Sequence, residues 1–181
     1  MSNLSPIDPT TATGKTKDLL DAVKGGFGMV PNMTRVMANS PAVLESFLAF
    51  NGAISGGLLT PQLREQLGLV VAQQNHCDYC LSAHSALGKM HHLTPEQITA
   101  SRKGDGSSEK ATAVLTFAKR LVEAKGQVAQ SDFVAARAAG LSDGEIAEII
   151  AVVALNLFSN YFNIAAGVEI DFPKVSHAEL A

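Results

Sequence analysis

Residues Glu65 to His84 read E-Q-L-G-L-V-V-A-Q-Q-N-H-C-D-Y-C-L-S-A-H, and both the fold and the chemistry turn on this stretch. It carries both cysteines of the chain, Cys77 and Cys80, two of its five histidines, and a glutamate in an apolar setting. Ahead of a break at Asn75-His76, Leu63, Leu67, Val70 and Val71 recur at helical spacing on one face. Glu65, Gly68, Leu69 and Ala72 form a second face, with Gln62, Gln66 and Gln73 between the two. A helix that is apolar on two sides is buried on two sides. Glu65 is therefore expected to be an ionisable group in a low-dielectric setting, which is costly unless it is partnered. The break lets the next helix fold back so that Glu65 faces His84.

On that next helix, expected from the CxxC to about His91, Cys77, Cys80 and His84 fall at i, i+3 and i+7 and share one face. The imidazole is within reach of the Cys80 sulfur. Cys77 lies at the first turn, where free N–H groups and the helix dipole favour thiolate. The dipole thus favours Cys77 and the histidine favours Cys80, which leaves open which sulfur reacts first. Two rival readings use the same residues. One is a structural zinc site in which His84 and either His76 or His91 join the two cysteines. The other is a pair of inert core cysteines. A c-type haem needs histidine where Leu81 stands, and a thioredoxin-like motif needs a strand before it. His91, His92 and His177 read as caps or solvated residues. Asn156, Asn160 and Asn163, at i, i+4 and i+7, form a polar stripe expected to hydrogen-bond between helices or subunits rather than to hold a ligand.

Outward from this stretch the chain reads as helix throughout. Short amphipathic segments are predicted over 15–24, ended by Gly25-Gly26, and over 33–38. Ser40-Pro41, Thr60-Pro61 and Thr94-Pro95 each mark a helix start, with proline at the first helical position. Further helices are predicted over 109–124 and 131–139, and a long one begins at Ser142. No window alternates as a half-buried strand does. The expected fold is all-α, a single domain of six to nine helices over residues 14–173, with residues 1–13 mobile or draped on the surface and 174–181 a tail. Gly14-Lys15-Thr16 ends like a phosphate-binding loop, but Pro9 occupies the position of the required first glycine and no strand precedes it. Sliding the chain by 82 residues sets Val70-Val71-Ala72 over Val152-Val153-Ala154 and Tyr79 over Tyr161. This is a faint, degenerate internal repeat, with chance among Ala/Val-rich helices as the competing account.

Composition narrows the function. Of 181 residues, 46% are hydrophobic and 17% charged, against about 25% charged in ordinary soluble domains. The surplus apolar surface points to a homo-oligomer. A net charge of -3 without a basic cluster gives no footprint for nucleic acid or an anionic membrane. The N-terminus lacks the basic start and apolar run of a secretory signal, so the cysteines are expected in a reducing cytoplasm, where CxxC means redox chemistry or metal more often than a structural disulfide. Ile149 to Val168 is an uncharged run of 20 residues, but its asparagines make it read as a buried soluble helix.

The pattern E-x(11)-CxxC-x(3)-H, here Glu65, Cys77, Cys80 and His84, resembles the active-site signature of the alkylhydroperoxidase D-like (AhpD-like) proteins of the carboxymuconolactone decarboxylase superfamily. F-G-M-V-P-N-M before it and N-Y-F-N-I-A-A-G-V-E-I-D-F-P after it resemble the peroxidase-related branch, so that the likeness spans residues 27 to 173. The resemblance implies an all-helical fold, a trimer or hexamer, and thiol-dependent reduction of hydroperoxides without a cofactor or metal. It implies Cys80 as the attacking cysteine, Cys77 as the resolving one, a Cys77–Cys80 disulfide, and Glu65 with His84 as proton relay. A dithiol electron donor of lipoyl or thioredoxin-like type would reopen the disulfide. One departure stands out: the prototype has a histidine where this chain has Tyr79. A disulfide carrier or redox sensor working on a protein partner needs the same activated dithiol and remains the alternative.

Overall fold

The computed structural model describes residues 2–180, so the outermost residues of the two expected terminal segments, Met1 and Ala181, lie outside the described residues. Nine α-helices and no strand are found among the described residues, as the sequence predicts: α1 (Gly14–Phe27), α2 (Asn32–Met37), α3 (Pro41–Ser55), α4 (Pro61–Gln74), α5 (Asp78–Met90), α6 (Pro95–Lys103), α7 (Glu109–Glu123), α8 (Gln130–Ala138) and α9 (Asp143–Ala166). A 3-10 turn, His177–Leu180, follows. Helix α1 runs through Gly25-Gly26 rather than stopping there. Its stop is Gly28, which takes the left-handed conformation (φ 75°) and returns its N–H to Lys24.

Helix α4 is the axle, packed by α5, α6, α7 and α9. Its first apolar face, Leu67, Val70 and Val71, enters one core with Val114, Leu115 and Ala118 of α7 and Ile149, Val152 and Val153 of α9. Its second face, Leu69 and Ala72, enters another core with Cys77, Tyr79, Cys80 and Leu81. The two-sided burial read from the sequence is therefore real. The middle of the strip between the faces is covered as well, because α6 lies on it: Gln66 is buried and donates to the Ser101 hydroxyl at 3.0 Å, while Gln62 stays exposed.

The break after α4 is sharp. Asn75 ends the helix, His76 takes the left-handed conformation (φ 55°), and the Cys77 N–H returns to Ala72 O at 3.0 Å. Cys77 then serves as the N-cap of α5, its sulfur 3.3 Å from the Cys80 N–H. In α9 the positions 82 residues on, Leu157 and Phe158, lie inside an unbroken helix of 24 residues, so the faint repeat does not extend to the break. Half of the most apolar window of α9 is buried, while Ile150, Phe158, Tyr161 and Ile164 stay exposed on its outer side.

Both terminal segments are tied down. Asn3 donates to Ala165 O and Ala166 O at the end of α9, and Ile7 donates to Arg35 O. The other end straps the start of α5: Val175 N–H donates to Ser82, and the His177 N–H and imidazole both meet one Asp78 carboxylate oxygen, at 2.8 and 2.7 Å. His177, expected as a solvated residue, also stacks on His76 with ring centroids 4.6 Å apart. Burial alone would raise the Asp78 carboxyl, but hydrogen bonds and charge from His177, with the Ser176 hydroxyl, outweigh it and hold the group below its usual value. A lowered folded-state value means that this tie is fully present above about 3.8 and is lost as pH falls through the lower folded value. Amide exchange across residues 175–180 is expected to quicken over that acid range, and Asp78→Asn should show the quickened exchange already at neutral pH. Equal exchange in the variant and the parent would show that the strap is held by something else.

Candidate active site

All four residues singled out in the sequence meet at the junction of α4, α5 and α9. Glu65 Oε2 lies 2.8 Å from His84 Nδ1, as the two-faced reading of α4 predicts. The second ring nitrogen, Nε2, lies 2.9 Å from Asn156 Oδ1 on α9. Cys77 and Cys80 are joined as a disulfide with Cα atoms 5.4 Å apart. The expected contact between the imidazole and the Cys80 sulfur is not made: both His84 nitrogens are taken, and Cys80 Sγ instead accepts from Asn163 Nδ2 at 3.3 Å. His84 and Cys80 meet only through the cavity that they both line.

These contacts fix where a proton sits. Asn156 Nδ2 donates to Val152 O at 2.9 Å, so its oxygen must be the atom that faces His84. Nε2 therefore carries hydrogen and donates. Nδ1 and the Glu65 carboxylate, both acceptors when unprotonated, can approach to 2.8 Å only with a proton between them. The Glu65–His84 pair thus holds one proton beyond the one on Nε2. Gly68 keeps the ring in place from the α4 side, since a Cβ at this position would land on the His84 imidazole. Gly68→Ala improves helix propensity by about 1 kcal/mol. It is nonetheless expected to push the ring off Glu65 and Asn156 and to lower activity by at least about tenfold. A variant with unchanged turnover would show that the ring can move without loss.

The asparagine stripe on α9 does bridge helices, and its partners are the site itself. Asn156 holds His84, Asn160 accepts from Asn75 Nδ2 at the helix break at 3.0 Å, and Asn163 holds Cys80. The sequence predicts hydrogen bonds between helices or subunits for this stripe, but not that the site supplies the partners. The signal for more was the presence of three amides in an otherwise apolar helix, since buried amides need partners and the site was the nearest polar group.

Tyr79, where the prototype has histidine, is a structural tie. Its hydroxyl accepts from the Met33 N–H at 3.1 Å, and its ring meets Phe172 edge-on at 5.8 Å. Burial, with the Asp171 carboxylate beside it, drives the phenol far above its usual range despite the Met33 bond. Asp171 in turn accepts from the Asn32 N–H at 2.7 Å. The stretches 27–33, 65–84 and 160–173 are therefore contiguous in space. Residues 170–173, read as the chain merely leaving α9, supply a wall of the site through Phe172.

The cavity has a volume of about 240 Å³. Phe47, Ile54, Leu87, Val152, Leu155 and Phe172 give it apolar walls, while Cys80, Glu65, His84, Asn156 and Asn163 are among its polar groups, with Arg64 also on the lining. Cys80 lines it and Cys77 does not; the sulfur-bearing residues are only 3% and 1% exposed. Among the described residues, no three His, Cys, Asp or Glu side chains converge as a metal-ligand set. Both His84 nitrogens are engaged by Glu65 and Asn156, and His76 is stacked on His177.

Fold and site together define an AhpD-like all-helical fold with a CxxC disulfide, one cysteine of which lines a largely apolar pocket. The sequence profile of the carboxymuconolactone decarboxylase family matches residues 41–124, from the start of α3 to the end of α7, a match that supports a place in this superfamily. No functionally curated protein matches it in sequence. Among solved structures it is similar to an AhpD-core, peroxidase-related protein from Ralstonia eutropha JMP134, with TM-score 0.85 and 24% identity over 94% of this chain and 92% of that one. A peroxidase-related protein from Silicibacter sp. TM1040 gives TM-score 0.77 and 22% identity over 92% and 87%. A cysteine-to-alanine variant of the debrominase Bmp8, in complex with 2,3,4-tribromopyrrole, gives 0.80 and 19% over 93% and 91%. At these identities the likeness is one of fold.

Proposed function

We propose that this chain is a two-cysteine, thiol-dependent peroxidase that reduces hydroperoxides through the Cys77–Cys80 disulfide. The observation that carries this reading is that Cys80 alone of the two cysteines opens on the cavity, and that the proton-holding Glu65–His84 pair opens on the same cavity. The Cys80 thiolate attacks the terminal oxygen of R–O–O–H. The S–O bond forms, the O–O bond breaks, and the hydroperoxide's own hydrogen stays on the sulfenic acid. The alkoxide that leaves takes a proton from the Glu65–His84 pair and departs as alcohol. Cys77 then attacks the Cys80 sulfur, and its thiol hydrogen leaves with the hydroxyl as water. A dithiol donor reduces the resulting disulfide by exchange.

In this scheme His84 acts as an acid toward the leaving oxygen, whereas the family resemblance suggests a relay that draws the proton from Cys80. The hydrogen bond to Asn156, which fixes hydrogen on Nε2, favours the acid role. The burial of both sulfurs weighs against a carrier that exchanges disulfides with a protein surface, and favours a donor with a slender dithiol arm that can enter the cavity. The apolar outer side of α9 supports a homo-oligomeric state. Reduced protein mixed with cumene hydroperoxide and dihydrolipoamide is expected to consume both in equal amounts, catalytically in protein. Consumption no faster than in protein-free buffer would remove the peroxidase reading.

A further inference from the structure

Asn163 is 3% exposed, and its amide is fully specified by its neighbours. Nδ2 directs one hydrogen to Cys80 Sγ at 3.3 Å and the other to Met33 Sδ at 3.2 Å. With Cys80 in the disulfide and Met33 a thioether, both sulfurs are acceptors only, so the reversed amide would set oxygen against two lone-pair-bearing atoms. Oδ1 must therefore point away from the sulfurs. There it is buried without any hydrogen-bond partner, on a residue that lines the cavity. A buried amide oxygen left unpaired costs free energy, and such an orphan in a pocket calls for a donor that the pocket is built to receive.

We propose that Asn163 is a catalytic residue: its amide N–H holds the reduced Cys80 sulfur as thiolate, and its unpaired oxygen receives the O–H of the incoming hydroperoxide. This rests on the peroxidase reading above and deepens it. A thiolate beside a fixed N–H donor is stabilised by a charge-assisted hydrogen bond. No base is then needed at Cys80, whose sulfur is already hydrogen-bonded by Asn163. The acceptor on the same side chain selects a substrate whose reactive oxygen carries hydrogen, and it turns that oxygen toward the sulfur. A dialkyl peroxide lacks this hydrogen and should not be reduced.

The test uses reduced full-length protein with Cys77→Ser in the background, so that Cys80 is the sole thiol, and follows alkylation by iodoacetamide against pH. Asn163→Ala is expected to slow alkylation about tenfold near pH 7, with the rates converging near pH 10, because the thiolate fraction is lost and access is not. Asn163→Asp keeps the shape but replaces the donor by a carboxylate oxygen, and is expected to slow it further; this variant serves should the alanine chain fail to fold. Profiles that coincide with the parent's would overturn the assignment. Hydroperoxide reduction is measured in parallel on the same variants with Cys77 restored. A parent that alkylates as expected yet ignores hydroperoxide would defeat the peroxidase reading while the Asn163–Cys80 contact stands. Turnover of hydroperoxide with an unshifted profile would do the reverse.

Discussion

Cys80→Ser is expected to abolish hydroperoxide turnover, by at least about a thousandfold, because it removes the one cysteine that lines the cavity and a hydroxyl cannot replace a thiolate nucleophile at neutral pH. Cys77→Ser should behave differently. Cys77 is 1% exposed and lies behind Cys80 as the cap of α5, so its loss spares the first attack and blocks the second. One equivalent of hydroperoxide is then consumed, and the Cys80 sulfenic acid accumulates, to be trapped by dimedone as a mass increment on the peptide that contains Cys80. The reverse pattern, with the sulfenic acid on Cys77 in the Cys80 variant, would show that the roles are exchanged.

The second large effect is expected from Glu65→Gln. The change conserves shape but replaces an acceptor by an amide that donates to His84 Nδ1. With Asn156 still demanding hydrogen on Nε2, the ring becomes neutral and the extra proton is gone. The alkoxide then leaves unassisted, and kcat/KM should fall about a hundredfold to ten-thousandfold. Alkylation of Cys80 should be nearly unchanged, since the thiolate is held by Asn163 and the start of α5. A parallel loss of alkylation would instead identify the pair as the base that activates Cys80, as the family resemblance suggests.

Much of this site was legible because its parts are close in sequence. The CxxC at a helix start, the break at Asn75-His76 and the two apolar faces of α4 follow from helical periodicity, and together they bring Glu65 onto His84. What was not legible depends on residues far along the chain. Asn156 and Asn163 sit 72 and 83 positions from their partners, and periodicity on α9 shows only that they share a face, not which helix that face meets. The strap from Val175 to His177 was invisible for the same reason: its anchor, Asp78, lies inside the motif and reads as an ordinary first-turn acid. Gly25-Gly26 misled in the opposite sense. Glycine permits a helix to end without requiring it, and the left-handed turn was needed only at Gly28.

The measurement that bears most directly on the central claim is the intact mass and free-thiol count of fully reduced protein before and after one equivalent of an organic hydroperoxide. Loss of both thiols and two hydrogens within seconds, with one alcohol formed per chain, is the expected result. Two thiols still free after prolonged exposure, with the oxidant unconsumed, would contradict it and leave the buried pair without a peroxide to act on.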